Sequence, residues 1–134
     1  MIQLFAALLL LAATLVVTTG KAIVTNRLRG AGTEPVFLAW GTGAGTTAAA
    51  DTTLFTEASE SRVTGTSSQT TTTTNNDTYR VVGTMTVAGS GKTITNVGLF
   101  DAVSSGNLFF KSDFTGLALN VGESIQFTIS VQLT

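Results

Sequence analysis

The sequence contains no cysteine and no histidine. Without cysteine there is neither a disulfide nor a thiolate metal site. Without histidine the commonest general base and the commonest metal ligand are both missing. Proline occurs once, at Pro35, and charged residues make up only 11% of the chain. The formal net charge is −1 and the seven Lys and Arg are scattered. Nucleic-acid surfaces need clustered cations, so no nucleic-acid partner is expected. These absences leave carboxylates, hydroxyls, amides and a few scattered Lys and Arg as the polar equipment.

Threonine makes up about a fifth of the 134 residues, far above ordinary usage. It favours strands over helix interiors. Fourteen glycines supply many turns, and 43% hydrophobic residues suffice for one core in one domain. The clearest pattern lies at residues 124–134. There Ile125, Phe127, Ile129, Val131 and Leu133 alternate without a break with Ser, Gln and Thr. A two-residue period puts the apolar set on one face of a half-buried antiparallel strand. Such a face must be buried, most simply against a second sheet.

The rest of the chain reads in the same terms. Residues 78–88 form a strand with Tyr79, Val81, Met85 and Val87 on one face. Residues 93–100 form another, whose parity changes between Ile94 and Val97, so a bulge is expected near Asn96 or Gly98. Ser104 to Asn107 make a hairpin turn before Leu108–Phe110. Leu117–Leu119 read as a short strand, and 120–123 turn into the last one. Residues 35–41 are a strand opened by Pro35, which is tolerated at that position. Residues 41–50 are a small-residue loop. The polar run 62–74 reads as an exposed edge strand, closed by a turn at Asn75-Asn76-Asp77. Residues 21–29 are expected as a short helix, with Arg27 and Arg29 at the negative end of its dipole and Gly30 as its stop. The whole is an all-β antiparallel sandwich, jelly-roll-like, with short strands at regular spacing.

Residues 4–17 carry no charge. Lacking a positive stretch ahead of them, they are a poor secretory signal, and about 14 apolar residues fall short of a membrane span. They read as an apolar arm, 1–19, ahead of a sandwich domain, 20–134. Leu4, Phe5, Leu8, Leu9, Leu11, Leu15 and Val17 are its candidate contacts to a partner or a sister subunit. Burying apolar surface at about 25 cal/mol per Å² would drive that docking.

Candidate chemistry is sparse. Gly89-Ser90-Gly91-Lys92-Thr93 resembles a phosphate loop, but the full pattern needs glycine where Thr86 stands and a helix afterwards; it reads as a hairpin turn. The acids Glu34, Asp51, Glu57, Glu60, Asp77, Asp101, Asp113 and Glu123 sit nearly all in or beside turns. No spacing marks a glycosidase pair or a calcium loop built on Asp77, Asp101 or Asp113. Asn76-Asp77-Thr78 fits the glycosylation triplet and reads as a plain turn. Trp40, the single tryptophan, is either a sugar platform or core, and its apolar strand favours core. No catalytic residue, metal or cofactor is assigned, and no small-molecule substrate is expected.

Several segments together resemble small virion proteins of tailed bacteriophages. They are Ala22-Ile23-Val24-Thr25-Asn26-Arg27-Leu28-Arg29-Gly30, Gly32-Thr33-Glu34-Pro35 and Ala39-Trp40-Gly41-Thr42-Gly43. Thr95-Asn96-Val97-Gly98-Leu99-Phe100-Asp101-Ala102, Gly106-Asn107-Leu108-Phe109 and the alternating last strand complete the pattern. The resemblance covers about residues 20–134. It implies a β-rich, non-catalytic part of the particle. Decoration or cement proteins on the capsid, bound to the major capsid protein, are the first expectation; tail, neck or fibre parts are the second. Such proteins are expected as homo-oligomers on the virion surface or tail. A carbohydrate- or receptor-binding module and a membrane-anchored or secreted surface protein are the competing readings.

Overall fold

The computed structural model describes residues 3–5, as backbone, and 14–134. In chain order its elements are β1 (Gln3–Phe5), β2 (Thr14–Val16), α1 (Thr18–Leu28), β3 (Phe37–Gly41) and β4 (Val63–Thr64). They continue with β5 (Thr66–Thr70), β6 (Thr78–Thr86), β7 (Lys92–Phe100), β8 (Leu108–Leu119) and β9 (Ser124–Gln132). One sheet has the order β1-β9-β6-β5 and the other β2-β8-β7-β3-β4. Every pairing is antiparallel except β1 with β9. The chain is therefore all-β with a single helix among the described residues.

The alternation in β9 buries Ile125, Phe127 and Ile129 as expected. Its register with β6 sets Ile125 beside Met85 and Ile129 beside Val81, so one apolar face continues across both strands. The main core joins this face to Leu38, Trp40, Val97, Leu99, Phe110 and Phe114 of the five-stranded sheet. Trp40 meets Phe127 edge-on at 6.4 Å between ring centroids. A second cluster holds Val17, Ala39, Leu54, Phe100 and Leu108, with Phe37 packed against it. In β3, Leu38 and Trp40 serve the first cluster while Phe37 and Ala39 serve the second. The five-stranded sheet thus buries both faces, which explains why β7 loses simple alternation. The expected bulge is present, with a register shift between Ile94 and Asn96.

The polar run at 62–74 divides into β4 and β5, one at the edge of each sheet. Gly65 lets the chain cross between them, because a Cβ there would lie 2.5 Å from Val81 Cγ1. The turn at 104–107 is a true hairpin between β7 and β8, with Ser105 and Gly106 at positive φ. Two expectations need correction. The turn at 89–91 is not a hairpin, because β6 and β7 belong to different sheets. The Leu117–Leu119 strand is not separate; it is the end of the 12-residue β8.

The helix starts at Thr18, three residues before expectation, and Gly30 follows it at φ +79°. Gly20 lies against β8, where a Cβ would come within 2.2 Å of the Phe109 carbonyl oxygen. The proposed boundary between 19 and 20 therefore falls inside α1, and β2 ahead of it is paired with β8. Residues 14–19 are continuous with the body of the protein.

Candidate functional site

Polar groups gather at four places, and at each the geometry is that of a fastener. The largest gathering is on the outer face of the five-stranded sheet, beneath residues 42–57. Asn96, Lys111 and Asp113 are all buried there, and their register places Asn96 beside Asp113. Lys111 Nζ donates to Asp51 Oδ2 at 2.9 Å and to the Thr53 carbonyl at 2.9 Å, and lies 3.2 Å from the centre of the Phe55 ring. Asn96 acts as a surrogate strand: its Oδ1 accepts from the Phe55 amide at 3.0 Å and its Nδ2 donates to the Phe55 carbonyl at 3.1 Å. Asp113 Oδ1 accepts from the Thr47 amide at 2.8 Å. Thr95 Oγ1 donates to the Gly43 carbonyl. Burial pushes the Asp51 carboxyl upward, but the Lys111 ammonium and the Ala48 amide outweigh it and hold the group below its usual range. The Lys111 ammonium is the cation paired with Asp51.

The second gathering surrounds Glu60. Trp40 Nε1 donates to its Oε2 at 3.1 Å, and the Ala88 amide and Lys92 Nζ donate to its Oε1. Burial again opposes ionisation, yet these donors bring the carboxyl down to about 2. Trp40 itself is 1% exposed, so its indole is core and serves as no sugar platform. In the third, Arg62 binds Glu57 at 2.8 and 3.0 Å, donates to the Ala102 and Ser105 carbonyls, and stacks on Phe100 at 3.5 Å. This ties the hairpin turn at 104–107 to the body. In the fourth, the Asp77 carboxylate accepts from the amides of Thr72, Thr73 and Thr74 at 2.8, 3.0 and 2.9 Å. Those amides hold Asp77 well below the usual carboxylate range.

The remaining acids are engaged likewise: Glu34 by the Tyr79 hydroxyl, Asp101 by Asn107 and Glu123 by the Asn120 amide. Asp77, Asp101 and Asp113 each serve a different loop, and among the described residues no three acids converge to hold a metal ion. Asp113 lies inside β8 and not in a turn. After Gly91 the chain enters β7 and no helix, so no phosphate cradle forms there. In the 76–78 triplet, Thr78 is 2% exposed and its hydroxyl bonds to Thr72 and Asp77.

Of the proposed arm contacts, Leu4 and Phe5 lie in β1, paired with Ile125 and Gln126. Leu8, Leu9 and Leu11 lie outside the described residues. Leu15 is 37% exposed, whereas Val17 is fully buried in this chain's own second cluster and has no surface to offer a partner. Among the described residues no helix is long and apolar enough to cross a membrane.

Sequence reasoning missed the buried trio Asn96, Lys111 and Asp113. The signal was there: Lys111 and Asp113 stand two apart in a strand whose neighbours, Phe109, Phe110 and Phe114, are apolar. Charges repeated on one strand face beside aromatic residues mark a face covered by polar backbone.

No protein-family model, no curated protein and no solved structure matches this chain.

Proposed function

We propose that the chain is a non-enzymatic structural component of a bacteriophage virion, most simply a capsid decoration or cement protein that binds and stabilises the major capsid protein shell. In this reading the two sheets are the layers of a β-sandwich. The connectivity is read as jelly-roll-like, with β1 added parallel to β9 at one edge.

One observation carries the reading. All eight carboxylates accept hydrogen bonds from this chain's own groups, in a sequence without histidine or cysteine. The carboxylates, the groups here best suited to acid–base work, act as internal ties. The outer face of the four-stranded sheet is mostly hydroxyl and amide. There Ser68, Thr84, Thr86, Thr128 and Ser130 are exposed, with Arg80 as its one cation. Interface centres are depleted in charged residues, and among those rows this face carries only Arg80. A protein bound on the assembled shell and not on free subunits adds its binding free energy to the shell's stability. Placement on the outer capsid surface, with copies arranged as a homo-oligomer, belongs to the same reading; a tail, neck or fibre position is the alternative within it.

The test is to purify particles from a host producing this chain, detect the chain by mass spectrometry and locate it by electron cryomicroscopy. Density for the described residues on the capsid supports the decoration reading. Density on the tail selects the alternative. Particles free of the chain refute both.

A further inference from the structure

The edge strand β5 departs from the rule that its neighbours obey. Its register sets Ser67 opposite Val81 and Gln69 opposite Tyr79, so Ser67 and Gln69 share the face that Val81 gives to the core. On the other side of β6 the corresponding places are taken by Ile129 and Val131. Small and polar side chains where apolar ones would seal the core leave a groove of about 350 Å³. That is within the range of small-ligand sites, about 300–1,000 Å³.

The groove combines two kinds of wall. Tyr79 and Leu133 supply apolar surface, and Glu34, Ser67, Gln69 and Asn76 supply hydrogen-bonding groups. Its parts are fixed in advance. The Tyr79 ring packs edge-on against Phe109 at 6.1 Å, and its hydroxyl donates to Glu34 Oε1 at 3.0 Å and to the Pro35 carbonyl at 3.1 Å. That bond orients the Glu34 carboxylate, whose second oxygen has no hydrogen-bond partner among the described residues. The Gln69 amide donates to the Asn76 carbonyl at 3.1 Å, while the Asp77 carboxylate ties down the preceding turn. Leu133 is 68% exposed at the rim, yet its amide is bonded to the Asp77 carbonyl at 2.9 Å. Leu133 thus has its backbone tied and its side chain open beside a carboxylate and two carboxamides.

We propose that this groove binds a neutral oligosaccharide. A sugar ring presents apolar C–H faces and a rim of hydroxyls that both donate and accept, which matches Tyr79 and Leu133 on one side and carboxylate, carboxamide and hydroxyl groups on the other. Glu34 and Asp77 line the groove and no Lys or Arg does, which disfavours acidic sugars. Tyr79, Glu34 and Gln69 are already held by hydrogen bonds, which lowers the ordering cost of binding. The inference deepens the carbohydrate-binding alternative named in the sequence and is independent of where the chain sits in a particle.

The experiment titrates the isotope-labelled full chain with maltotetraose, cellotetraose and chitotetraose, followed by amide chemical shifts, with sialyllactose as the acidic control. The expected result is millimolar or tighter binding of at least one neutral probe, with shifts centred on Ser67, Gln69, Asn76, Tyr79 and Leu133. Leu133→Ala should weaken binding about tenfold or more by removing the apolar rim. Ser67→Val, which fills the groove from β5, should abolish binding while the spectrum of a folded protein persists. No shifts with any neutral probe, shifts centred elsewhere, equal binding by Ser67→Val, or preference for the acidic control overturns the proposal. Failure here with the chain still found in particles refutes the groove alone; binding with the chain absent from particles refutes the virion reading alone.

Discussion

Replacing Gly83 by alanine would put a methyl group 2.7 Å from Leu38 Cδ1 and 3.4 Å from Gly65 Cα. Gly83 is on β6 of the four-stranded sheet and Leu38 on β3 of the five-stranded one, so the clash spans the interior between them. Leu38 is 0% exposed, which leaves it little room to retreat. Overpacking of this kind costs about 1–3 kcal/mol, offset by roughly 0.4–1 kcal/mol from the stiffer unfolded chain. Leu38→Ala alone removes a fully buried side chain and should cost about 2–5 kcal/mol. Combined, the two should cost less than their sum, because the new methyl enters space that the leucine left. A coupling of about 1–2 kcal/mol in favour of the double variant is expected. Urea unfolding of the four proteins of the cycle measures it. Additivity within about 0.5 kcal/mol would mean that Leu38 and Gly83 do not meet, and that the two sheets do not face each other as described.

Three further outcomes follow from the ties. Glu60 ionises at about 2 in the folded chain against an ordinary 4.5; a depressed carboxylate stabilises above its unfolded value and loses that contribution as pH falls through the folded one. Stability should therefore decline between about pH 4.5 and 2, and the decline should be shallower in Glu60→Gln, as read by thermal unfolding across that range. Lys111→Met should cost about 2–3 kcal/mol, below the full penalty for breaking a buried pair because Asp51 is 22% exposed and can rehydrate; hydrogen exchange should show residues 42–57 loosening before the sheets. Gly20→Ala should destabilise by about 2 kcal/mol or more, since its methyl meets the β8 backbone and not a yielding side chain; unchanged unfolding would mean that α1 is not seated on β8.

Much of the fold was legible because one physical signal, alternation, governs any strand with one wet face. Strands β6 and β9 satisfy it and were read nearly to their ends. The helix was read from Arg27, Arg29 and Gly30, although its first turn, Thr18 to Gly20, was hidden by β-branched residues that favour strand. The connectivity was less legible. A short glycine turn such as 89–91 reverses the chain equally well into a neighbouring strand or across to a facing sheet, and local chemistry does not distinguish the two. The five-stranded sheet obscured its own pattern by burying both faces: Gly98 and Phe100 are as hidden as Val97 and Leu99. The groove was illegible because Ser67 and Gln69 belong to a uniformly polar run, where an inward-facing serine looks like its outward-facing neighbours until the register is known.

Residues 42–57 are held chiefly by their main chain. The Thr47 amide, the Phe55 amide and carbonyl, and the Thr53 and Gly43 carbonyls are gripped by side chains of the sheet below. Ala44, Gly45, Thr46, Ala48, Ala49 and Ala50 are exposed between these grips. The shape of this cover is thus set in large part by Thr95, Asn96, Lys111 and Asp113 of the sheet, with Asp51 and the buried Leu54 as the cover's own anchors. Ala44, Thr46, Ala48, Ala49 and Ala50 can therefore vary with little effect on the cover, whereas Gly45 cannot, because a Cβ there would lie 2.7 Å from the Phe55 ring.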